Sequence, residues 1–169
     1  MKISIAIATY NGEKHLKEQL GSFVKQTRLP DELIVSDDLS SDNTFEIIKK
    51  FAEEAPFKVI YSQNKKTLGY AGNFSKALTK TSGDLILLSD QDDVWFNNKI
   101  ETIEKVANEC DELLIVNDKL ITDANLKSYP HSKLYLQVQK NLKRMYSIVL
   151  QYVTRTINQF NRILVLHAK

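Results

Sequence analysis

Five short apolar runs, separated by four amphipathic stretches, constrain the fold of this chain more than any other feature. Residues 3–8 are continuous and rich in β-branched side chains, the pattern of a buried strand. Residues 33–35 follow a Pro30-Asp31 turn, and residues 57–61, 84–89 and 113–116 repeat the strand pattern. Between them, residues 13–25 space Leu16, Leu20, Phe23 and Val24 as a helix does. Residues 42–54 turn Phe45, Ile48 and Phe51 inward, with Asp42 as the N-cap. Residues 69–80 do the same with Phe74, Ala77 and Leu78, and residues 97–108 with Ile100, Ile103 and Val106. Strands alternating with helices predict βαβ units: an α/β chain with a mostly parallel sheet, flanking helices and right-handed crossovers. Sheets of that kind bind ligands outside the carboxyl ends of their strands, near a topological switch point.

The polar clusters fall at that edge. Thr9-Tyr10-Asn11-Gly12 follows the first strand, Ser36-Asp37-Asp38 ends the second, and Asp90-Gln91-Asp92-Asp93 follows the fourth. Three carboxylates within four residues repel one another unless a cation or water screens them. An Asp-x-Asp after a strand is a good oxygen site for Mg2+ or Mn2+, which fill their other positions with water and substrate phosphates. A solvated acidic turn is the plain alternative, but three clusters at one sheet edge favour a phosphorylated ligand. Asp37 and Asp38 can accept from the imide of uracil or thymine, or from ribose hydroxyls. Ser40, Ser41 and Asp42 read as helix caps. Tyr10 can stack on a nucleobase, or sit partly buried with its hydroxyl satisfied. Gly12 permits an unusual turn.

No glycine-rich dinucleotide fingerprint, P-loop or nucleophile elbow is present. His15, His131 and His167 are scattered. Lys65-Lys66 can reach phosphates but reads first as a solvated loop. Cys110 is the single cysteine, which excludes an internal disulfide and argues for reducing conditions. The apolar N-terminus is too short for a signal peptide, and no run approaches the roughly 18–20 apolar residues of a membrane span. Charge is uneven. Residues 1–118 hold 14 Lys/Arg and 20 Asp/Glu, whereas residues 119–169 hold 9 Lys/Arg and one acid, Asp123. That basic end can face an anionic membrane, an anionic acceptor or nucleic acid, or can be a solvated helical face. Residues 134–153 are apolar at helical spacing. The run at 163–166 has little room to pack, so the fold is expected to be incomplete there.

Taken together, Ile7-Ala8-Thr9-Tyr10-Asn11-Gly12, the stretch from Ile34 to Asp42, Leu68-Gly69-Tyr70-Ala71-Gly72-Asn73-Phe74 and Leu88-Ser89-Asp90-Gln91-Asp92-Asp93-Val94-Trp95 resemble family 2 glycosyltransferases of the GT-A (Rossmann-like nucleotide-binding) fold. The last motif resembles bacterial rhamnosyltransferase-type members that build surface polysaccharides. The resemblance covers about residues 1–120, read as a nucleotide-sugar (donor) binding subdomain. Residues 121–169 are then a largely helical, basic and incomplete acceptor-side segment. It implies inverting transfer of a sugar such as rhamnose from a dTDP- or UDP-linked donor to a glycan or lipid-linked acceptor. Tyr10 would line the base with Thr9 beside it. Asp38 would accept from the base imide and Asp37 would lie near the nucleoside. Asp92 would be the principal ligand of Mn2+ or Mg2+, Asp90 would contact the ribose or the metal, and Asp93 would support them. The implied location is cytoplasmic, at the inner face of the membrane with peripheral association, and no nucleic-acid partner is expected.

Inversion also needs a base on the acceptor hydroxyl. Only Asp111, Glu112, Asp118 and Asp123 follow the helix after Trp95, and none stands in the family's base motif. Two alternatives therefore accompany the enzyme: an inactive nucleotide-sugar-binding remnant, and a basic-tailed membrane- or polymer-binding module.

Overall fold

The computed structural model describes residues 1–109, 114–117, 136–137 and 163–167. Strand β1 (Ile3–Thr9) leads through helix α1 (Leu16–Val24) to β2 (Glu32–Asp37), and α2 (Thr44–Glu54) leads to β3 (Lys58–Gln63). Helix α3 (Gly69–Leu78) then returns to β4 (Leu85–Ser89), followed by α4 (Lys99–Glu109) and β5 (Leu114–Asn117). Two further strands, β6 (Leu136–Gln137) and β7 (Ile163–His167), complete one sheet in the order β3-β2-β1-β4-β7-β5-β6. All pairings are parallel except that of β5 with β6.

The strands read as unbroken apolar runs because the sheet is covered on both faces. In β1, Ile3, Ile5 and Ile7 pack with Leu16, Leu20 and Phe23 of α1, Ile48 of α2, and Ile100 and Ile103 of α4. The alternate residue Ala6 faces Phe74, Ala77 and Leu78 of α3, together with Ile34 and Ile86. The period-2 alternation of a strand thus feeds two separate cores.

Each strand and helix expected over residues 1–116 is present, with ends moved by a few residues. β2 reaches outward to Glu32 and Asp37, both buried and charged, which hydropathy alone leaves outside a strand. The expected cap of α2 is corrected by one residue: the N-cap is Asn43, and Asp42 stands just before it, where its Oδ1 accepts from the Thr44 N–H at 3.0 Å and shapes the turn into the helix.

The expectation for residues 163–166 is corrected. They do not lack room to pack: β7 is an interior strand, pairing with β4 through Leu85↔Ile163 and with β5 through Leu114↔Leu164. The partners that make the room lie far back in the sequence, so a local reading cannot supply them. Within 121–169 the described residues are the strands β6 and β7, so the expected helix over 134–153 is corrected at 136–137, which pair with β5; the rest of that stretch lies outside the described residues.

β1 lies between β2 and β4. From β1 the chain winds outward to β3 and then crosses back to β4 on the other side. The loops after β1 and β4 therefore diverge around a crevice at the switch point.

Candidate donor-binding site

The register places Thr9, Asp37 and Gln63 side by side at the carboxyl ends of three adjacent strands. Their side chains join across it. Asp37 accepts from Thr9 Oγ1 at 2.9 Å and from Gln63 Nε2 at 3.0 Å. Its second oxygen also takes the Ser40 N–H at 3.0 Å, which shapes the turn after β2. Asp37 is fully buried and does not line the cavity above it.

Asp38, one residue on, points the other way. It is 5% exposed. Its Oδ1 accepts from Asn64 Nδ2 and from the Leu68 N–H, both at 2.7 Å, and its Oδ2 accepts from the Gly69 N–H at 2.9 Å. The carboxylate thus seats the N-terminus of α3, where main-chain N–H groups lack helical partners and the helix dipole favours negative charge. Gly69 stands at φ +72°, a left-handed conformation that suits glycine and lets its N–H reach Asp38. A carboxylate offers about four lone-pair directions. Three are used, and one on Oδ2 remains for a ligand.

Asn64 and Asn73 extend the network. Asn64 Nδ2 donates to Asn73 Oδ1 at 3.0 Å, and Asn73 Nδ2 donates to the Thr9 carbonyl at 3.1 Å. Lys76 Nζ donates to Asn64 Oδ1 at 2.6 Å. These buried amides lock α3 to the end of β1, which gives a physical role to the Leu68–Phe74 motif.

Across the crevice, Gln91 ties the acidic loop to the Tyr10 loop. The Tyr10 N–H donates to Gln91 Oε1 at 2.9 Å, and Gln91 Nε2 donates back to the Tyr10 carbonyl at 3.1 Å. A Cβ on Gly12 would overlap the Gln91 side-chain amide, so the latch in this position needs glycine there. Trp95 anchors the other end of the acidic loop. It is buried, with its ring 4.8 Å from that of Phe23 in an edge-on contact. Lys99 Nζ lies 3.9 Å from the centre of the Trp95 ring. Burial there pushes the Lys99 ammonium down to about 7, against the opposing pull of Asp93.

These loops enclose a cavity of about 590 Å3 at the switch point. Thr9, Tyr10, Asp38, Tyr70, Asp90 and Asp92 are among its lining residues. Five of the residues singled out in the sequence, Thr9, Tyr10, Asp38, Asp90 and Asp92, thus meet in one place; Asp37 lies behind them, and Asp93 is not among the lining residues. Tyr10 is 53% exposed, leaving its ring open to a stacked group. Asp90 Oδ1 accepts from Tyr70 Oη at 3.0 Å. Among the described residues, no third His, Cys, Asp or Glu joins Asp90 and Asp92 in a metal-binding group. Two carboxylates opening into a cavity fit Mg2+ or Mn2+, which bind through one or two carboxylates plus water and phosphate oxygens.

Residues 4–165 match the model of glycosyl transferase family 2. The chain belongs to that family. Among curated members it is 36% identical over 142 residues to the dTDP-rhamnosyl transferase RfbG of Shigella flexneri, covering 80% of this chain and 44% of RfbG. The structure of S. aureus TarS 1–349 with UDP-GlcNAc superposes with a TM-score of 0.65 at 28% identity, over 78% of this chain and 37% of that one. The mannosyltransferase PcManGT of Pyrobaculum calidifontis, solved with GDP-Man and Mn2+, superposes with a TM-score of 0.59 at 21% identity over 72% of this chain and 36% of that one, and shares the fold alone. The chain spans less than half the length of the curated glycosyltransferases it matches over most of its own length. The GT-A fold expected from the motifs is the fold observed.

The sequence did not point to Gln91, Asn64, Asn73 or Tyr70 individually. Gln91 sits inside the acidic motif, where its neighbours' charges draw attention away from it. Asn64 and Asn73 are neutral, so only their place beside a strand end and in the Leu68–Phe74 motif marked them.

Proposed function

We propose that this chain is the donor-binding part of an inverting glycosyltransferase that takes a sugar, such as rhamnose, from a dTDP- or UDP-linked donor for a polysaccharide or glycolipid acceptor. One observation carries the proposal: Tyr10, Asp38, Asp90 and Asp92 line a single cavity at the switch point. The Tyr10 ring stacks on the base, and the remaining lone pair of Asp38 accepts the imide N–H. Asp92 and Asp90 would hold Mn2+ or Mg2+, and the ion would supply Lewis-acid stabilisation of a diphosphate leaving group. The candidate bases Asp111, Glu112, Asp118 and Asp123 lie outside the described residues. Donor binding, rather than turnover, is therefore what the geometry supports. The proposed place of action is the cytoplasmic face of the membrane, where lipid-linked acceptors are within reach.

Isothermal titration with dTDP and UDP, each with and without Mn2+, tests this. Metal-strengthened binding is expected, and Asp92→Asn should remove the metal dependence without unfolding the chain, because a neutral amide is a poor ligand in an oxygen site. A folded wild-type chain that binds neither nucleotide would overturn the proposal.

A further inference from the structure

Residues 55–83 carry five lysines, no arginine and no acid. The fold gathers these lysines on one surface. β3 is the edge strand of the sheet. Its Ile60 packs toward α3, while Val59 packs with the opposite core. By alternation, Lys58 and Ser62 share the α3 side with Ile60. Helix α3 packs over β1 and β2, one strand short of this edge. Lys76 of α3 and Lys80, just past its end, reach outward across the gap: Lys80 Nζ donates to Ser62 Oγ at 2.8 Å, and Lys76 Nζ to Asn64 Oδ1. Lys65 and Lys66 project from the loop that follows β3. Among the described residues none of the five forms an ion pair. Five positive charges therefore share this edge; Lys76 and Lys80 donate to neutral groups, and the nearest acid in the register, Glu32 opposite Lys58, is buried.

We infer that this β3–α3 edge is a docking surface for an anionic phospholipid bilayer. Charge complementarity names the class of partner, and three features favour a bilayer over a soluble polyanion. The surface is a sheet edge and a helix side, not a groove that could follow a strand-like polymer. The cations are all lysines, which act as point charges toward a headgroup layer; arginine is the residue of bidentate phosphate recognition. Exposed Leu68 borders the surface and can enter the interfacial layer. Lys65 and Lys66 immediately precede Thr67, which lines the donor cavity. Docking would hold the mouth of that cavity beside the lipid. This deepens the membrane-face location proposed above by assigning a surface to it, and it differs from assigning the contact to the basic segment at 119–169.

The test is co-sedimentation of the full chain with phosphatidylcholine vesicles, with and without phosphatidylglycerol, at low and high salt. The chain should partition onto the anionic vesicles only, and less at high salt. The quadruple variant Lys58→Gln/Lys65→Gln/Lys66→Gln/Lys80→Gln should lose partitioning, by about five-fold per lysine. Unchanged partitioning of that variant would overturn the inference. So would loss confined to a Lys140→Gln/Lys143→Gln/Arg144→Gln variant in the basic segment. Binding of heparin through the four lysines with no vesicle binding would reassign the surface to a soluble polyanion. UDP titration of the same proteins separates the two readings. Failure of nucleotide binding with vesicle binding intact removes the donor site and leaves the surface.

Discussion

Replacing Asp38 should damage the fold before it damages nucleotide recognition, and the size of that damage follows from its partners. The carboxylate accepts three hydrogen bonds, from Asn64 Nδ2, Leu68 N–H and Gly69 N–H. Bonds to a charged acceptor contribute about 1.5–3 kcal/mol each, and a buried donor left unpaired costs about 1–3 kcal/mol. Leu68 and Gly69 are exposed, so water can take over their N–H groups in an alanine variant. Asn64 keeps its bond to Asn73. Three bonds partly replaced by water give a loss of about 3–5 kcal/mol for Asp38→Ala. Asp38→Asn can keep both bonds at the Oδ1 position and sets its amide against the Gly69 N–H alone, a loss of about 1–2 kcal/mol. Small domains are stable by about 5–15 kcal/mol, so the alanine variant sits near the edge of folding. Urea unfolding followed by circular dichroism reads both values, and amide exchange at Leu68 and Gly69 reads the site of the damage. A cost under about 1 kcal/mol for Asp38→Ala would refute the idea that this carboxylate seats α3. Any affinity measured for the variant must therefore be referred to its folded fraction.

Other consequences are as definite. Leu39 is exposed at φ 63°, a conformation that disfavours residues with a Cβ by about 1–2 kcal/mol. Leu39→Gly should stabilise the chain by up to about 1 kcal/mol after the added unfolded-state entropy is subtracted, and Leu39→Ala should not. Gly12→Ala should displace the Gln91 amide from Tyr10 and weaken nucleotide binding. In a double-mutant cycle with Gln91→Ala, the second substitution should add almost nothing, whereas simple additivity would mean that Gly12 does not act through the latch. Glu32 is buried at the opposite edge of the sheet. Burial pushes its carboxyl up, but hydrogen bonds from Ser4 and Ser82 and the charge of Lys2 outweigh this and leave it below its ordinary 4.5. Its stabilisation is complete above that ordinary value and fades as pH falls through the lowered one, so Glu32→Gln should flatten the acid limb of the stability curve; identical limbs in the two proteins would contradict this.

Most of the fold over residues 1–117 could be read from the sequence, because a doubly covered parallel sheet writes its strands as apolar runs and its cavity lining as polar residues just past them. What stayed hidden was hidden for physical reasons. Asp37 and Asp38 are adjacent and identical in type, yet the alternation of a strand sends one into the core network and the other toward α3. Gln91, Asn64 and Asn73 carry no charge and no periodicity, so their roles exist only in three dimensions. β7 escapes a local reading because its pairing partners, β4 and β5, are remote in sequence. Asp90 and Asp92 could be placed at the cavity from the sequence because their charges cluster just past a strand end.

The position of β7 has a consequence for how the chain reaches its native state. Leu85 must wait for Ile163, and β4 and β5 are joined only through a strand made long after both. During synthesis, which runs from the N-terminus, the β1–β2–β3–β4 portion can form while the free edge of β4 still lacks its neighbour. That edge is apolar and offers unpaired main-chain groups, so any strand arriving first can take the place of β7. Non-local closure of this kind slows folding and lengthens the exposure. The same insertion that makes β7 the keystone of the finished sheet makes the nascent chain most vulnerable to mispairing just before it arrives.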